Sequence, residues 1–328
     1  MNSIEFIPLL SFAVSLILVW GIVMRPTPQL PIDIPNERSL HKKPVPRGGG
    51  LGIIAGSISA AALIAYPLHA AFWISAIMVI AVSLADDFRP LPARLRLAVH
   101  LCAAAIFCFA VLLKSHGPGI TAISILAMGW MANLYNFMDG SDGLAGGMAV
   151  LGFAFLAFAA WMAGDLPFAL LNVSISAAGF AFLLFNFHPA RIFMGDVGSV
   201  TLGFFAAAFG LSGWIEGLWP WWFPVLVFSP FIVDSSLTLA KRFLTGAPVS
   251  QAHRDHYYQK LVRMGLGHRN TALAEYALMI ISGFAALAAM NSTGTVQLLF
   301  LLLLATLYAT LILLVEIRWK KSHAPAEI

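Results

Sequence analysis

Between residues 4 and 316 the chain is a succession of eleven apolar runs, at about 4–24, 50–67, 70–85, 97–113, 119–137, 146–163, 167–185, 199–215, 219–239, 271–290 and 295–316. A backbone that crosses hydrocarbon must satisfy its own hydrogen bonds, and a helix does so within about 20 residues. Only 10% of the residues are charged and 60% are hydrophobic, against about 25% charged in a soluble domain. The expected fold is an all-α polytopic integral membrane protein with about eleven transmembrane helices. No repeat or low-complexity tract divides it, so residues 1–328 are read as a single integral membrane unit. No Lys or Arg precedes the first run, which is also too long for a cleaved signal, so that run is expected to stay in the protein.

Charge sets the expected orientation. With the N-terminus periplasmic and the C-terminus cytoplasmic, the loops at about 25–49, 86–96, 138–145, 186–198 and 240–270 and the tail after 316 share one side. Of the 19 Lys and Arg residues only Lys114 then falls on the other side, as the positive-inside rule requires. The net charge of +4 therefore describes a basic cytoplasmic face, suited to anionic headgroups or phosphorylated substrates. Nucleic acid is excluded as a partner, since no soluble basic domain exists to hold it. Cys102 and Cys108, six residues apart on one helix, point in different directions and read as packing residues.

The polar residues gather at these cytoplasmic edges. The segment 133–144, Asn-Leu-Tyr-Asn-Phe-Met-Asp-Gly-Ser-Asp-Gly-Leu, ends an apolar helix with Asn136, Asp139 and Asp142, and its two Asp-Gly pairs read as tight turns. Ionisable groups at a membrane helix are costly and mark function. The loop 33–50 carries Lys42, Lys43 and Arg47 before three glycines whose amides could hold an anion beside a helix N-terminus. Asp86 and Asp87 repel each other and need a cation or a proton nearby, with a metal, a lipid phosphate's proton or Arg89 as candidates. Asn186 and Asp196 flank 185–199, where Asp196 can cap a helix or coordinate a cation. In 250–260, His253 and His256 at i, i+3 are expected on one helix face, forming with Arg254 and Lys260 a basic, donor-rich patch for phosphate.

Carboxylates and amides with few thiols suit a hard cation, Mg²⁺ before Mn²⁺, held by one or two protein oxygens and substrate phosphates. The expected chemistry is phosphoryl-type transfer between a soluble nucleotide and a lipid. A transporter or flippase is the rival class, but its coupling sites lie near the midplane within repeated halves, whereas these acids stand at helix ends. An intramembrane aspartyl protease is also disfavoured, because Phe193 occupies the first glycine position of its Gly-x-Gly-Asp signature.

The segments 133–144 and 193–199, together with Asp86-Asp87 and the loop 33–50, resemble the signatures of the polyprenyl-phosphate N-acetylhexosamine-1-phosphate transferases, the MraY/WecA superfamily. The Pro-Arg-Gly-Gly-Gly ending and the His-Arg-x-His-x-Tyr-Gln form are most similar to the WbpL-like branch that initiates O-antigen or other surface polysaccharides. The resemblance implies transfer of an N-acetylated amino-sugar-1-phosphate from a UDP-sugar donor to undecaprenyl phosphate, releasing UMP, on the cytoplasmic face of a bacterial inner membrane. It implies Asp196 as a Mg²⁺ ligand joined by Asn136, and Asp142 and Asn186 near the nucleoside. It also implies His253, Arg254 and His256 at the pyrophosphate, and Asp86 or Asp87 as base or handler of the lipid phosphate. Asp139 is a site member and Asp234 matches a family pattern, neither with an assigned role. A second copy of the chain, as a homodimer, is a further candidate partner. Two departures stand out: Pro90 takes the place of a third Asp, and Tyr258 and Gln259 replace two residues of a His-x-His-His motif.

Overall fold

A computed structural model describes residues 3–25, 31–35, 40, 44–64, 66–248 and 253–322. A short 3₁₀ turn precedes α1 (Ile7–Met24), and a two-stranded antiparallel hairpin, β1 (Ile32–Asp33) with β2 (Val45–Pro46), leads into α2 (Gly49–Ile64). There follow α3 (Ala70–Phe88), α4 (Ala93–Val111), α5 (Leu113–Phe137), α6 (Leu144–Met162), α7 (Leu166–Asn186) and α8 (Asp196–Ile215). The chain then forms α9 (Trp222–Val227), α10 (Ser229–Leu244), the one-turn α11 (Tyr257–Leu261), a π-turn, α12 (Gly267–Met290) and α13 (Gly294–Ser322).

Among the described residues nine helices are long and apolar enough to cross a membrane, so the all-α polytopic expectation holds while the count of eleven does not carry over directly. The run 50–67 yields α2, of 16 residues. The run 219–239 is two helices broken at Phe228. Pro230 is the physical reason: it has no N–H to donate and its ring collides with the carbonyl four residues earlier. Ser229 Oγ picks up the freed Leu226 carbonyl at 2.6 Å.

Two helix groups meet in the interior. One comprises α1, α2, α6 and α7, the other α3, α4, α5 and α8, while α12 packs on α6 and α9 and carries α13 on its outer side. Buried hydroxyls tie neighbours together: Ser11 and Ser15 of α1 donate to the Ser174 and Ala178 carbonyls of α7, and Ser75 of α3 to Ala103 of α4. In a bilayer such bonds and close packing replace the hydrophobic drive, because lipid is as apolar as the helices themselves. An aromatic cluster of Phe72, Phe107, Phe204, Phe205 and Phe209 fills the space between α3, α4 and α8. The consequence for function is directional. The ends of α3, α5, α7 and α10 and the starts of α4, α6, α8 and α12 gather at one end of the bundle, and the described residues of the polar segments singled out above lie there.

Candidate active site

The start of α8 anchors this end. Gly195 precedes it with φ of +77°, a conformation natural to glycine, and an added Cβ there would lie 2.9 Å from an Asp87 carboxylate oxygen. Asp87, at the end of α3, spends both oxygens on the first turn of α8: Asp196 N–H donates to Oδ1 and Val197 N–H to Oδ2, each at 2.9 Å. It is therefore an N-cap supplied from another helix. Its neighbour Asp86 turns aside, accepting the Leu91 N–H at 2.6 Å and Arg96 Nη1 at 2.6 Å. The same Arg96 nitrogen donates to Asp196 Oδ2 at 3.0 Å. The expected counter-ion Arg89 is thus replaced by Arg96, from the first turn of α4.

Asp196 Oδ2 also accepts Asn136 Nδ2 at 3.2 Å, and Ser199 Oγ orients that carboxamide by donating to its Oδ1 at 3.0 Å. These residues open onto a cleft of about 270 Å³ lined by Arg47, Asn136, Asp139, Asp142, Asn186 and Asp196, with Phe193, Gln259 and His268 among the others. Asp139 lies on its floor, between α5 and α6. Enclosure by protein, and then the charge of Asp196, push its carboxyl well above the usual carboxylate range.

Asp142 occupies the opposite wall. Its Oδ2 meets His188 Nδ1 at 2.6 Å and the Ala190 N–H at 3.2 Å. His188 stacks in parallel on His268, ring centroids 5.5 Å apart, and His268 in turn reaches Ser141 Oγ at 2.9 Å and the Leu40 carbonyl at 3.2 Å. Asn186 acts as a brace: it accepts the Gly143 N–H at 3.0 Å and donates to the Ile192 carbonyl at 2.9 Å.

Several sequence expectations change at this point. Gly49 and Gly50 donate their N–H groups to the Phe193 and Met194 carbonyls at 3.0 and 2.9 Å, so these amides staple the loop to the start of α8 and are not left open for an anion. A Cβ on Gly50 would lie 2.3 Å from Gly198 Cα, which is why the segment is glycine. Arg47 does line the cleft, paired with Asp33 at 2.9 Å, whereas Lys42 and Lys43 lie outside the described residues. Asp86 and Asp87 are not among the cleft-lining residues, and neither are His253, Arg254 and His256.

His253 and His256 do not share a helix face, because α11 begins only at Tyr257. His256 is its N-cap and turns to Asp234, Nδ1 to Oδ1 3.2 Å, while Asp234 accepts the Tyr257 and Tyr258 N–H groups at 2.9 Å each. Asp234 thereby gains a role: it caps α11 from α10. Burial, and then the neighbouring His256, hold the His253 imidazole down to about 4, so it is a neutral group at neutral pH. Arg254 is half-buried beside it. Three residues that the motifs do not single out, Arg96, His188 and His268, are thus also bonded to the cleft's carboxylates or line it.

Asp196 and Asp139 line the cleft and bring hard carboxylate oxygens to it. Among the described residues no three His, Cys, Asp or Glu side chains converge as a metal cage; a Mg²⁺ ion that takes one or two carboxylates and completes its shell with water and phosphate fits such a donor set. An apolar groove of about 540 Å³ lies along α5, α8 and the broken α9–α10 pair, lined on α5 from Ile120 to Leu134.

The Glycosyl transferase family 4 profile matches residues 69–213, which carry Asp86, Asp87, Asn136, Asp139, Asp142, Asn186 and Asp196. A probable undecaprenyl-phosphate N-acetylglucosaminyl 1-phosphate transferase of Bacillus subtilis is 28% identical over 83% of this chain and 81% of its own length. A decaprenyl-phosphate N-acetylglucosaminephosphotransferase of Mycolicibacterium smegmatis is 28% identical over 78% of this chain and 74% of its own. A phospho-N-acetylmuramoyl-pentapeptide-transferase of Shouchella clausii is 30% identical over 52% of this chain and 57% of its own. With its acids and amides assembled on one cleft, the chain is similar over about four fifths of its length to polyprenyl-phosphate N-acetylglucosamine-1-phosphate transferases, and the family 4 profile spans the segment that carries those acids and amides.

Proposed function

We propose that the protein transfers an N-acetylated amino-sugar-1-phosphate from a UDP-sugar to undecaprenyl phosphate, releasing UMP, at the cytoplasmic face of a bacterial inner membrane, as the first step of O-antigen or related surface-polysaccharide synthesis. The observation that carries this reading is a cleft holding Asp139, Asp142, Asn136 and Asp196 at the same end of the bundle that the positive-inside rule makes cytoplasmic; the apolar groove along α5, α8 and the α9–α10 pair would take an isoprenoid chain.

The reading assigns each side chain a task. Arg47 and His268 hold phosphate and ribose oxygens of the donor, and Asp142, fixed by His188 and the Ala190 N–H, accepts from the uracil. Asp196 and Asp139, with the Asn136 carboxamide, would hold Mg²⁺, which when bound supplies charge neutralisation for a pyrophosphate and its leaving group. Transfers of this kind rest on positioning and charge stabilisation. A lipid phosphate oxygen attacks the β-phosphorus, the bond to the UMP oxygen breaks, and UMP departs with the electron pair.

The acidic pair acts on this step indirectly. A phosphate monoester with a second pKa near 6 is already largely dianionic at neutral pH, so no strong base is required. Asp86 instead holds Arg96 beside Asp196, where its guanidinium meets the incoming lipid phosphate, and Asp87 fixes the α8 start that carries Asp196. Incubating purified protein with undecaprenyl phosphate, Mg²⁺ and a panel of UDP-sugars should release UMP with at least one N-acetylated donor; silence across the panel rejects the transferase reading. A trapped phospho-aspartyl enzyme would instead reject direct displacement.

A further inference from the structure

The acid Glu316, near the end of α13, has no place in the cleft, yet it accepts from Lys241 Nζ of α10 at 2.7 Å and from Lys260 Nζ of α11 at 2.6 Å. Lys260 is only 5% exposed, and its ammonium lies 4.6 Å from the Tyr257 ring centre. Next to it the Arg263 guanidinium lies 4.7 Å over Trp319 of α13. This polar knot contrasts with the rest of α13, whose buried side chains are Leu304 and Tyr308. A membrane anchor alone has no need of two ion pairs at its end.

The element that these contacts hold is α11. Five residues are far too few for a helix to persist unaided, so its position comes from outside. Asp234 caps it from α10, Tyr258 Oη donates to the Phe137 carbonyl of α5 at 3.0 Å, and Glu316 grips Lys260 from α13. Between Tyr258 and Lys260 stands Gln259, which lines the cleft. Its Oε1 accepts the His256 N–H at 3.2 Å, and its Nε2 lies 3.6 Å from where a Cβ on Gly140, another lining residue, would sit, so the side-chain amide stands at the edge of the cleft.

We propose that Glu316 is a positioning residue for the donor: through Lys260 it sets α11, and thereby the Gln259 amide, against the UDP-sugar, which makes α13 part of the binding unit. The proposal rests on the transferase reading above. Its physical basis is that a buried ammonium stripped of its partner must find water or another acid, whereas losing both charges together is far milder.

Steady-state kinetics on the full-length enzyme, with hydrogen exchange of the same proteins in lipid nanodiscs, tests it. Glu316→Gln should raise the donor KM about tenfold with the acceptor KM held within twofold, and speed exchange of the Tyr257 and Tyr258 amides while those of α6 stay unchanged. Glu316→Asp should remain near wild type, and the Glu316→Gln/Lys260→Met pair should fall closer to wild type than Glu316→Gln alone. Gln259→Ala should reproduce the donor KM rise with unaltered exchange at α11. Unchanged KM and exchange in Glu316→Gln, or an equal rise in both KM values, overturns the proposal. If Glu316→Gln does not survive purification, the paired variant carries the test: with the tether gone, its donor KM should still exceed wild type and the Tyr257 and Tyr258 amides should still exchange faster, and wild-type values of both would overturn the proposal. A wild-type protein that releases no UMP sinks the transferase reading, while the exchange data still decide whether Glu316 holds α11.

Discussion

Helices α8 and α13 make an instructive pair. The more strongly apolar of the two is α13, whose residues 298–304 are leucines but for Phe300, yet only two of its 29 residues are buried, so it faces outward along nearly its whole length. In α8, fourteen of twenty residues are buried, and those include Gly198, Gly203, Gly210 and Gly213. Hydropathy thus says that a helix enters the membrane but not whether it enters the protein. Small side chains that let backbones approach decide the second question: a Cβ on Gly203 would lie 2.6 Å from the Met131 carbonyl and 2.8 Å from Ala132 Cα.

The comparison can be broken or sharpened at five points, of decreasing effect. Asp196→Ala at the head of α8 should cost at least about 10³-fold in UMP release, the scale seen when a charge-stabilising group is lost from an active site. A purified variant with full activity in chelator would contradict its assignment. Gly203→Leu should destabilise by about 3 kcal/mol or more, beyond the usual 1–3 for overpacking, because backbone rather than a flexible side chain stands in the way. Thermal unfolding in detergent reads this, and an unchanged midpoint would mean that α5 and α8 are not held at this distance. Asp87→Asn keeps the shape but removes the charge from the α8 N-terminus, so about 1 kcal/mol of stability should go, and turnover should fall about tenfold as Asp196 loosens. If Asp87 were the base, turnover would fall far more than stability.

The fourth point is His253. Its imidazole sits at about 4 against an ordinary 6.5, so the folded state binds this proton less readily than the unfolded chain does. Its contribution to stability is whole above about 6.5 and is lost as pH falls toward 4. A ring signal titrating near 6.5 in selectively labelled protein would contradict this. Smallest of all, Leu303→Ala on the outer face of α13 should change stability by less than about 0.5 kcal/mol, and a larger loss would reveal a partner on that face.

Read along the chain, helix positions were legible because each helix satisfies its own backbone, and the apolar runs follow from that requirement alone. The polar ends were less so, for one recurrent reason. The runs were expected to begin at 97 and 271, whereas α4 begins at Ala93 and α12 at Gly267. The missing turns carry Arg96 and His268. A charged or polar first turn reads as loop when only hydrophobicity is followed, so the two residues that meet Asp86, Asp196 and Ser141 were hidden by the very criterion that located their helices. The divergence of Asp86 and Asp87 was hidden differently: adjacent residues on a helix end differ by about 100° in direction, and no spacing tells which neighbouring helix each will find. His253 and His256 precede a helix and do not sit on one, since α11 begins only at Tyr257 with His256 as its N-cap, although their rings still meet with centroids 5.0 Å apart. Asp139, Asp142, Asn136 and Asp196, by contrast, were recognisable as a set, since acids and amides at three helix ends of a membrane protein have few other places to go.

The cap that Asp87 places on α8 has a mechanical corollary. Because one carboxylate binds the two amides that begin α8, the ends of α3 and α8 move as a single body, and Asp196 cannot swing toward a ligand without dragging both helices and the Gly49–Gly50 staple with it. A substrate entering the cleft therefore meets a carboxylate already immobilised, and little ordering entropy is left to lose on that side when it binds.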